Sequence, residues 1–314
     1  MNTNQLPIIS IVTPSYNQGS YLEETILSVL EQGYPALEFF IFDGGSTDGS
    51  LDIIQKHQDQ LTFWESKPDR GQSHAINKGF RMASGEIVAW LNSDDLLAPG
   101  ALKVVAQAWQ QNPGVGLITG QTEIIDQAGK PTGNIFGSEP NVINSLLSSE
   151  NPVSQPSTFF STSALKEVGF LDETLHMSMD WDLWLRIGAR YPTLFIPKIL
   201  SKSRTWEMTK TRTQLVRSGP EHIRIVKNFI KQNPDFLTPM QKRQALGSGY
   251  LRKGRLDYEA GKWLFFRLDL LIAIYYGMKP TQRKDLKLFK HAFPVFYFSK
   301  RVYSYLYRKM TTAE

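Results

Sequence analysis

Apolar positions in the first 120 residues come in short consecutive runs separated by polar, glycine-bearing stretches. Ile8-Ile9-Ser10-Ile11-Val12, Leu37 to Phe42 and Ile87 to Leu91 have the continuous pattern of strands buried on both faces of a parallel sheet. Pro14 is expected to break the first of them. Between the runs, Tyr21 to Leu30 carries apolar residues at 22, 26, 27, 29 and 30, which is helical spacing. Leu61 to Glu65 and Gly116 to Gly120 add shorter strands, and helices are predicted up to His57 and over Ala101 to Trp109. Pro68 to Gly79 is predicted as a loop entering a helix that Ser84-Gly85 closes. This alternation predicts an α/β fold with a mostly parallel sheet flanked by helices.

Past residue 120 the pattern changes. Gln121 to Gly137 suits a hairpin, Gln155 to Phe160 a strand, Ser163 to Val168 a short helix. Met179-Asp180-Trp181-Asp182-Leu183-Trp184-Leu185-Arg186 predicts a helix whose packing face holds Trp181, Trp184, Leu185 and Gly188. Asp182 stands four residues before Arg186 and is expected to pair with it. After Pro220, helices are predicted over Ile223 to Ile230, Met240 to Tyr250 and Asp257 to Tyr276. Trp263 to Tyr276 is shorter than the ~20 residues of a membrane span and carries Arg267 and Asp269, so it is predicted to be buried. Three regions follow from this: 1–120, 121–215, and a helical C-terminal region 216–314.

Composition narrows the chemistry. The absence of cysteine among 314 residues excludes disulfides and thiolate metal sites. The five histidines have no zinc-ligand spacing. Met1 to Leu6 lacks an apolar signal core, which points to the cytosol. The net charge of +5 is unevenly placed: Val216 to Glu314 carries 20 Lys plus Arg against 7 Asp plus Glu, and the remainder is acidic. Lys279 to Lys309 interleaves lysine and arginine with phenylalanine and tyrosine, a composition suited to an anionic bilayer surface. A solvated basic helix pair is the alternative. No nucleic-acid motif accompanies the basic region.

The candidate chemistry lies where the predicted strands end. Ile87 to Leu91 stops on Asn92-Ser93-Asp94-Asp95, two adjacent carboxylates at the carboxyl end of a buried strand, where open α/β sheets hold ligands. Hard oxygen ligands there suit Mg²⁺ or Mn²⁺ and a phosphate-bearing substrate; a helix-capping turn is the plain alternative. Asp43-Gly44-Gly45-Ser46-Thr47-Asp48 ends the second strand, with Thr47 or Asp48 placed to start the next helix. It has neither the Lys-Ser/Thr of a phosphate-binding loop nor the three spaced glycines of a dinucleotide site.

Together, Thr13-Pro14-Ser15-Tyr16-Asn17, Asp43-Gly44-Gly45-Ser46-Thr47-Asp48, Asp69-Arg70-Gly71-Gln72 with Ala75-Ile76-Asn77-Lys78-Gly79, Asn92-Ser93-Asp94-Asp95 and Asp180-Trp181-Asp182 resemble the motifs of the family 2 glycosyltransferases, inverting enzymes of the GT-A fold. The resemblance spans about residues 8 to 211. It implies a nucleotide-diphosphate sugar as donor, a divalent metal, and a glycan or lipid-linked hydroxyl as acceptor in cell-surface polysaccharide synthesis. Pro14 and Tyr16 would belong to the nucleotide loop, with Tyr16 on the nucleobase and Asp43 accepting a hydrogen bond from its edge. Asp69 and Gly71 would lie beside the nucleoside, Asn92 at the ribose, and Asp95 within the same donor site. Asp94 would ligate the metal, and Asp180 would be the general base.

Three positions depart from the family pattern. Asn92 stands where Asp is common, and Met179 precedes Asp180 where Glu is common. Trp206 in Arg204-Thr205-Trp206-Glu207-Met208-Thr209-Lys210-Thr211 replaces a frequent His, leaving a metal one protein ligand poorer. The reading is a cytosolic, membrane-peripheral, metal-dependent inverting glycosyltransferase. Its rivals are an inactive sugar-nucleotide or glycan-binding module and a nucleotidyltransferase, whose Gly-rich, Arg-bearing loop is missing.

Overall fold

The computed structural model describes residues 6–207, 209, 213–278 and 291–292. It divides into two compact units, Met1–Val142 with Asn151–Thr209, and Ile143–Glu150 with Lys210–Glu314.

The first unit is built on one nine-stranded sheet. The elements that matter for the site are β1 (Ile9–Ser15), α1 (Gly19–Leu30), β2 (Leu37–Asp43), α2 (Ser50–His57), β3 (Phe63–Ser66), α3 (Gln72–Met82), β4 (Ile87–Trp90), β5 (Leu96–Leu97) and α4 (Ala101–Gln111). They are followed by β6 (Leu117–Ile125), β7 (Pro131–Phe136), β8 (Thr158–Ser161), α6 (Thr162–Val168), α7 (Met179–Gly188) and β9 (Thr193–Arg204); α5 (Val142–Ser148), between β7 and β8 in the chain, belongs from Ile143 on to the second unit. The strand order is β3-β2-β1-β4-β8-β6-β9-β5, with β7 on β6. From β3 to β4 the pairing is parallel; β8 then runs antiparallel to both β4 and β6. The sheet is therefore mixed in its second half.

The core follows the consecutive apolar runs. Every residue of β1 and β4 is buried. Ile9, Ile11, Phe39, Ile41, Ile87 and Ala89 pack with Leu22, Ile26 and Val29 of α1 and with Leu102 and Val105 of α4. On the other side, α3 approaches so closely that a Cβ on Gly79 would lie 2.5 Å from both Val12 methyls. Glycine is needed there for the contact, not for backbone freedom.

Several predicted boundaries move. Pro14 does not break β1, which pairs with β2 as far as Ser15↔Asp43. The pairing of β1 with β4 has already ended at Val12↔Trp90. Peptide groups alternate sides along a strand, so the N–H that Pro14 lacks would face the vacated β4 side and no ladder bond is lost. The loop after Pro68 ends at Gly71, and Gln72 to Gly79 lies inside α3. Gln155 to Ser157 forms a 3-10 turn before β8. The long strand β9 and helix α5 have no counterpart in the sequence reading.

The second unit contains α8 (Ser218–Gln232), α9 (Pro239–Glu259) and α10 (Trp263–Tyr275). Thr238 and Gln241 form a reciprocal capping box at the start of α9. That helix runs on past Tyr250 and takes Asp257 as one of its own residues. Leu251, Phe266, Leu270 and Ala273 make a small core. The prediction that Trp263 to Tyr276 is a buried helix holds for one face only, because Leu264 and Tyr275 are each 69% exposed. Among the described residues no helix is long and apolar enough to cross a membrane. Apart from His291 and Ala292, the basic aromatic stretch from 279 onward lies outside the described residues.

Candidate active site

The carboxyl ends of β1, β2 and β4 lie side by side, and the loops leaving them carry most of the candidate residues. The loops after β1 and β2 are clasped together. Asn17, at φ +52°, donates its N–H to Ser46 Oγ at 2.7 Å, and Asn17 Oδ1 accepts from Thr47 N at 3.0 Å. Asp48 starts two helices at once. Its Oδ2 accepts from Gly19 N at 2.8 Å and its Oδ1 from Ser50 N at 3.2 Å, the first residues of α1 and α2.

Asp43 is buried at the end of β2. Its Oδ2 accepts hydrogen bonds from Gly45 N, Ser46 N and Ser66 Oγ at 3.0, 2.8 and 2.7 Å, whereas among the described residues Oδ1 accepts only from Ser46 Oγ. The carboxylate thus fixes its own loop and leaves Oδ1 the less engaged oxygen. That loop brings Gly44 against Tyr16 and Asp69. A Cβ on Gly44 would lie 3.1 Å from Tyr16 Cδ2 and 3.3 Å from Asp69 Oδ2. The Tyr16 ring remains 63% exposed, so an aromatic face and a carboxylate border an open slot floored by backbone. Asp69 Oδ1 accepts from Gly71 N at 2.6 Å, and Gly71, at φ +110°, turns the chain into α3. The structure places Tyr16 and Asp69 beside Gly44, a residue that the sequence reading did not single out.

A second cluster forms where β4 ends. Asn92 accepts from Gln72 Nε2 at 2.7 Å and donates Nδ2 to Asp95 Oδ2 at 3.1 Å and Gln155 Oε1 at 3.0 Å. Gln155 in turn donates to Trp90 O at 2.8 Å. The orientation of the Asn92 amide is therefore fixed by three partners, and Gln72 ties it to the first residue of α3. Asp95 also accepts the Arg204 N–H at 3.2 Å. Burial, reinforced by the charge of Asp94, pushes the Asp95 carboxyl up to about 7. Asp94 is half-buried, and burial likewise raises its carboxyl.

Arg204 holds this turn from the other side. Its buried guanidinium donates to Asp94 O at 3.3 Å, Gln127 O at 2.8 Å and Glu24 Oε2 at 2.6 Å, and it lies 4.8 Å from the Tyr21 ring centre. Trp206 packs on the same tyrosine, ring centres 5.6 Å apart. Its indole N–H is close enough to Asp94 to favour the charged carboxylate, although it makes no well-formed hydrogen bond among the described residues.

A divalent cation fits this turn in part. Among the described residues the Asp94 carboxylate, unlike that of Asp95, accepts no well-formed hydrogen bond and has only the nearby Trp206 indole beside it. Among the described residues no three His, Cys, Asp or Glu side chains converge to hold a metal. An ion here would complete its shell from diphosphate oxygens and water, as Mg²⁺ commonly does.

Asp180 belongs to a third cluster, at the start of α7. Its Oδ2 accepts from Asn151 Nδ2 at 2.8 Å, while Asn151 Oδ1 accepts from Trp184 Nε1 at 2.9 Å and Val153 N at 3.1 Å. Asp182 pairs with Arg186 at 2.8 Å, as expected from their spacing. Arg186 also donates to the carbonyls of Val168, Gly169 and Phe170, so this pair anchors the chain between α6 and α7.

Sequence reasoning did not single out Asn151, Gln155 or Gln72 for the site, and it passed over Arg204 inside a quoted motif. Their partners lie far along the chain, Arg204 and Asp94 being 110 positions apart.

The family model for glycosyl transferase family 2 matches residues 10–169, just over half of the chain. The chain belongs to that family. Its relatives include an uncharacterised glycosyltransferase of Nostoc sp., 32% identical over 204 residues, 61% of this chain and 61% of that protein. A poly-beta-1,6-N-acetyl-D-glucosamine synthase of Staphylococcus epidermidis is 31% identical over 58% of this chain and 47% of its own length. The chain thus spans about half to three-fifths of these two relatives. Among solved structures, S. aureus TarS 1-349 in complex with UDP-GlcNAc aligns at a TM-score of 0.64 and 17% identity, covering 86% of this chain and 81% of that one. The mannosyltransferase PcManGT from Pyrobaculum calidifontis, in complex with GDP-Man and Mn²⁺, aligns at 0.57 and 18%, covering 96% and 84%. The GT-A fold expected from the motifs is the fold of this chain.

Proposed function

We propose that the chain is an inverting, metal-dependent glycosyltransferase that moves a sugar from a nucleotide-diphosphate sugar to a hydroxyl of a glycan or lipid-linked acceptor. The observation that carries this is the placing of the Tyr16–Gly44–Asp69 slot and the Asp94–Asp95 turn at the carboxyl ends of neighbouring parallel strands, where α/β sheets bind nucleotides. The nucleobase would enter the slot against Tyr16, with Asp43 Oδ1 and Asp69 at its edges. Pro14 and Gly71 would belong to the loops around it. Asn92, locked by Gln72 and Gln155 with both amide hydrogens engaged, would accept at the ribose through Oδ1, and Asp95 would hold the turn.

Asp94 would ligate Mg²⁺ or Mn²⁺, which when bound offsets the charge that builds on the departing diphosphate. Asp180 would take the proton of the acceptor hydroxyl. The acceptor oxygen then bonds to the anomeric carbon as the bond from that carbon to the diphosphate oxygen breaks. The nucleotide diphosphate leaves, and a single displacement inverts the centre. The names of relatives, a poly-N-acetylglucosamine synthase and a teichuronic acid glycosyltransferase, support a role in cell-surface polysaccharide synthesis. The basic C-terminal third supports peripheral contact with the anionic inner face of the cell membrane.

The test is a screen of nucleotide sugars for thermal stabilisation with and without Mn²⁺, followed by donor turnover and the anomeric configuration of the product. Stabilisation without turnover towards water or any hydroxyl acceptor would replace this reading with a binding module. A retained anomeric configuration would remove the inverting mechanism.

A further inference from the structure

Helix α10 presents two opposite faces, and both are apolar. At about 100° per residue, Phe266, Asp269, Leu270 and Ala273 fall on one side, and all four are buried. Leu264, Leu268, Leu271 and Tyr275 fall within about 60° of one another on the other side. Those four are 69, 47, 50 and 69% exposed, and Trp263 and Phe265 flank them at 51 and 57%. A contiguous apolar stripe left in solvent marks an interaction surface.

We propose that this stripe seats α10 in the headgroup layer of an anionic bilayer, an inference that deepens the membrane reading above and rests on it. Length decides between spanning and lying flat. Thirteen residues reach about 20 Å, short of the ~30 Å hydrocarbon core.

Charge decides the sign of the surface. Asp269, the sole acidic residue of the helix, is turned inward and paired with Lys253 at 2.6 Å. Arg267 is exposed beside the stripe. Among the described residues, the outer face of α10 therefore shows apolar groups and a cation without a carboxylate, which complements anionic headgroups.

The test is co-flotation of the full chain with vesicles of phosphatidylglycerol and phosphatidylcholine, and with phosphatidylcholine alone. The stripe variant is Leu268→Glu with Leu271→Glu. A control with the same added charge is Ile135→Glu with Phe136→Glu, at exposed positions of β7. The wild type and the control should bind the anionic vesicles to within about threefold of each other, and the stripe variant roughly tenfold or more weakly. Circular dichroism checks that each variant is folded; should the glutamates disrupt α10, Leu264→Ser with Tyr275→Ser serves instead.

Equal vesicle binding by the stripe variant and the control overturns the inference while leaving the membrane reading standing. A wild type that ignores both vesicle types overturns both. A wild type that is a dimer in solution, ignores vesicles, and becomes monomeric in the stripe variant overturns the inference in favour of a second copy. Nucleotide-sugar stabilisation, measured on the same samples, reports separately on the transferase reading.

Discussion

Asn151 donates its amide hydrogen to Asp180 Oδ2 at 2.8 Å, and its own orientation is fixed because Trp184 Nε1 and Val153 N both donate to its carbonyl oxygen. A flipped amide would point an oxygen at a carboxylate, so Trp184 makes the donor role obligatory. The result is a carboxylate at the first turn of α7 with one oxygen pinned. Asp182, two residues on, is instead tied to Arg186 at 2.8 Å and serves the packing of α6 and α7.

This arrangement separates the two acids experimentally. Asp180→Asn should retain donor binding and lower sugar transfer by about two orders of magnitude or more, the reach of a general base. Asn151→Ala should lower kcat by a smaller factor, with little change in donor KM, and Asn151→Gln should recover part of the loss. Asp182→Asn should lower the melting temperature more than the rate. Normal transfer by Asp180→Asn alongside a dead Asp182→Asn would reverse the assignment.

Asp94→Ala should abolish Mn²⁺-dependent turnover while circular dichroism and the melting temperature stay close to wild type. The side chain is half-buried, and the backbone carbonyl of the same residue, not its carboxylate, accepts from Arg204. Turnover near the wild-type level with unchanged metal dependence would defeat the metal assignment. Isothermal titration of Mn²⁺ into the nucleotide-free chain should show weak binding that strengthens when a nucleoside diphosphate is present, because the turn offers few protein ligands.

The runs Ile8 to Val12, Leu37 to Phe42 and Ile87 to Leu91 were legible because a strand buried on both faces admits few polar residues, and Ser10 and Glu38 meet this by bonding each other at 2.6 Å. The Asp94–Asp95 turn stood out for the same reason, since the polar residues that end such a strand contrast with it, whereas Tyr16 and Asp69 were named only through the motifs that contain them. β9 escaped because Thr193 to Arg204 mixes exposed Pro197 and Lys198 with half-buried positions, and its partner strands β6 and β5 are remote in sequence. Asn151 and Gln155 look like ordinary loop residues until α7 and β4 are placed beside them. Helix α10 shows a different limit. Apolarity all round says that both faces avoid water, not which face the chain itself covers.

His222 supplies a pH dependence within the C-terminal unit. Burial, with Arg252 nearby, drives its imidazole well below the usual range, and Nδ1 contacts Ser149 Oγ at 3.0 Å. Below the ordinary histidine value the unfolded chain takes up a proton that the folded chain refuses, so protons favour unfolding there. Above that value both states are neutral and the term vanishes. The melting temperature of the unit should therefore fall as pH drops from about 7 to 5, and His222→Asn should flatten that fall. An equally steep fall in the variant would assign the acid sensitivity to other groups.

Gly44 offers the sharpest test of the nucleotide slot, because its substitution adds one methyl group and no charge. That methyl would arrive 3.1 Å from the Tyr16 ring and 3.3 Å from Asp69 Oδ2, tighter than ordinary van der Waals contact. Tyr16 is exposed and able to swing away, so the fold should tolerate Gly44→Ala with little change in melting temperature. The slot would not. Moving Tyr16 removes the face on which a base would stack, and the methyl itself occupies the floor. Stacking on an aromatic ring contributes about 1–3 kcal/mol per base, so nucleoside diphosphate affinity should weaken by roughly tenfold to a hundredfold. Tyr16→Ala should weaken it by a similar factor, and the double variant by little more than either, since both act on the same contact. Unchanged affinity in Gly44→Ala, with the protein folded, would show that the nucleobase binds elsewhere.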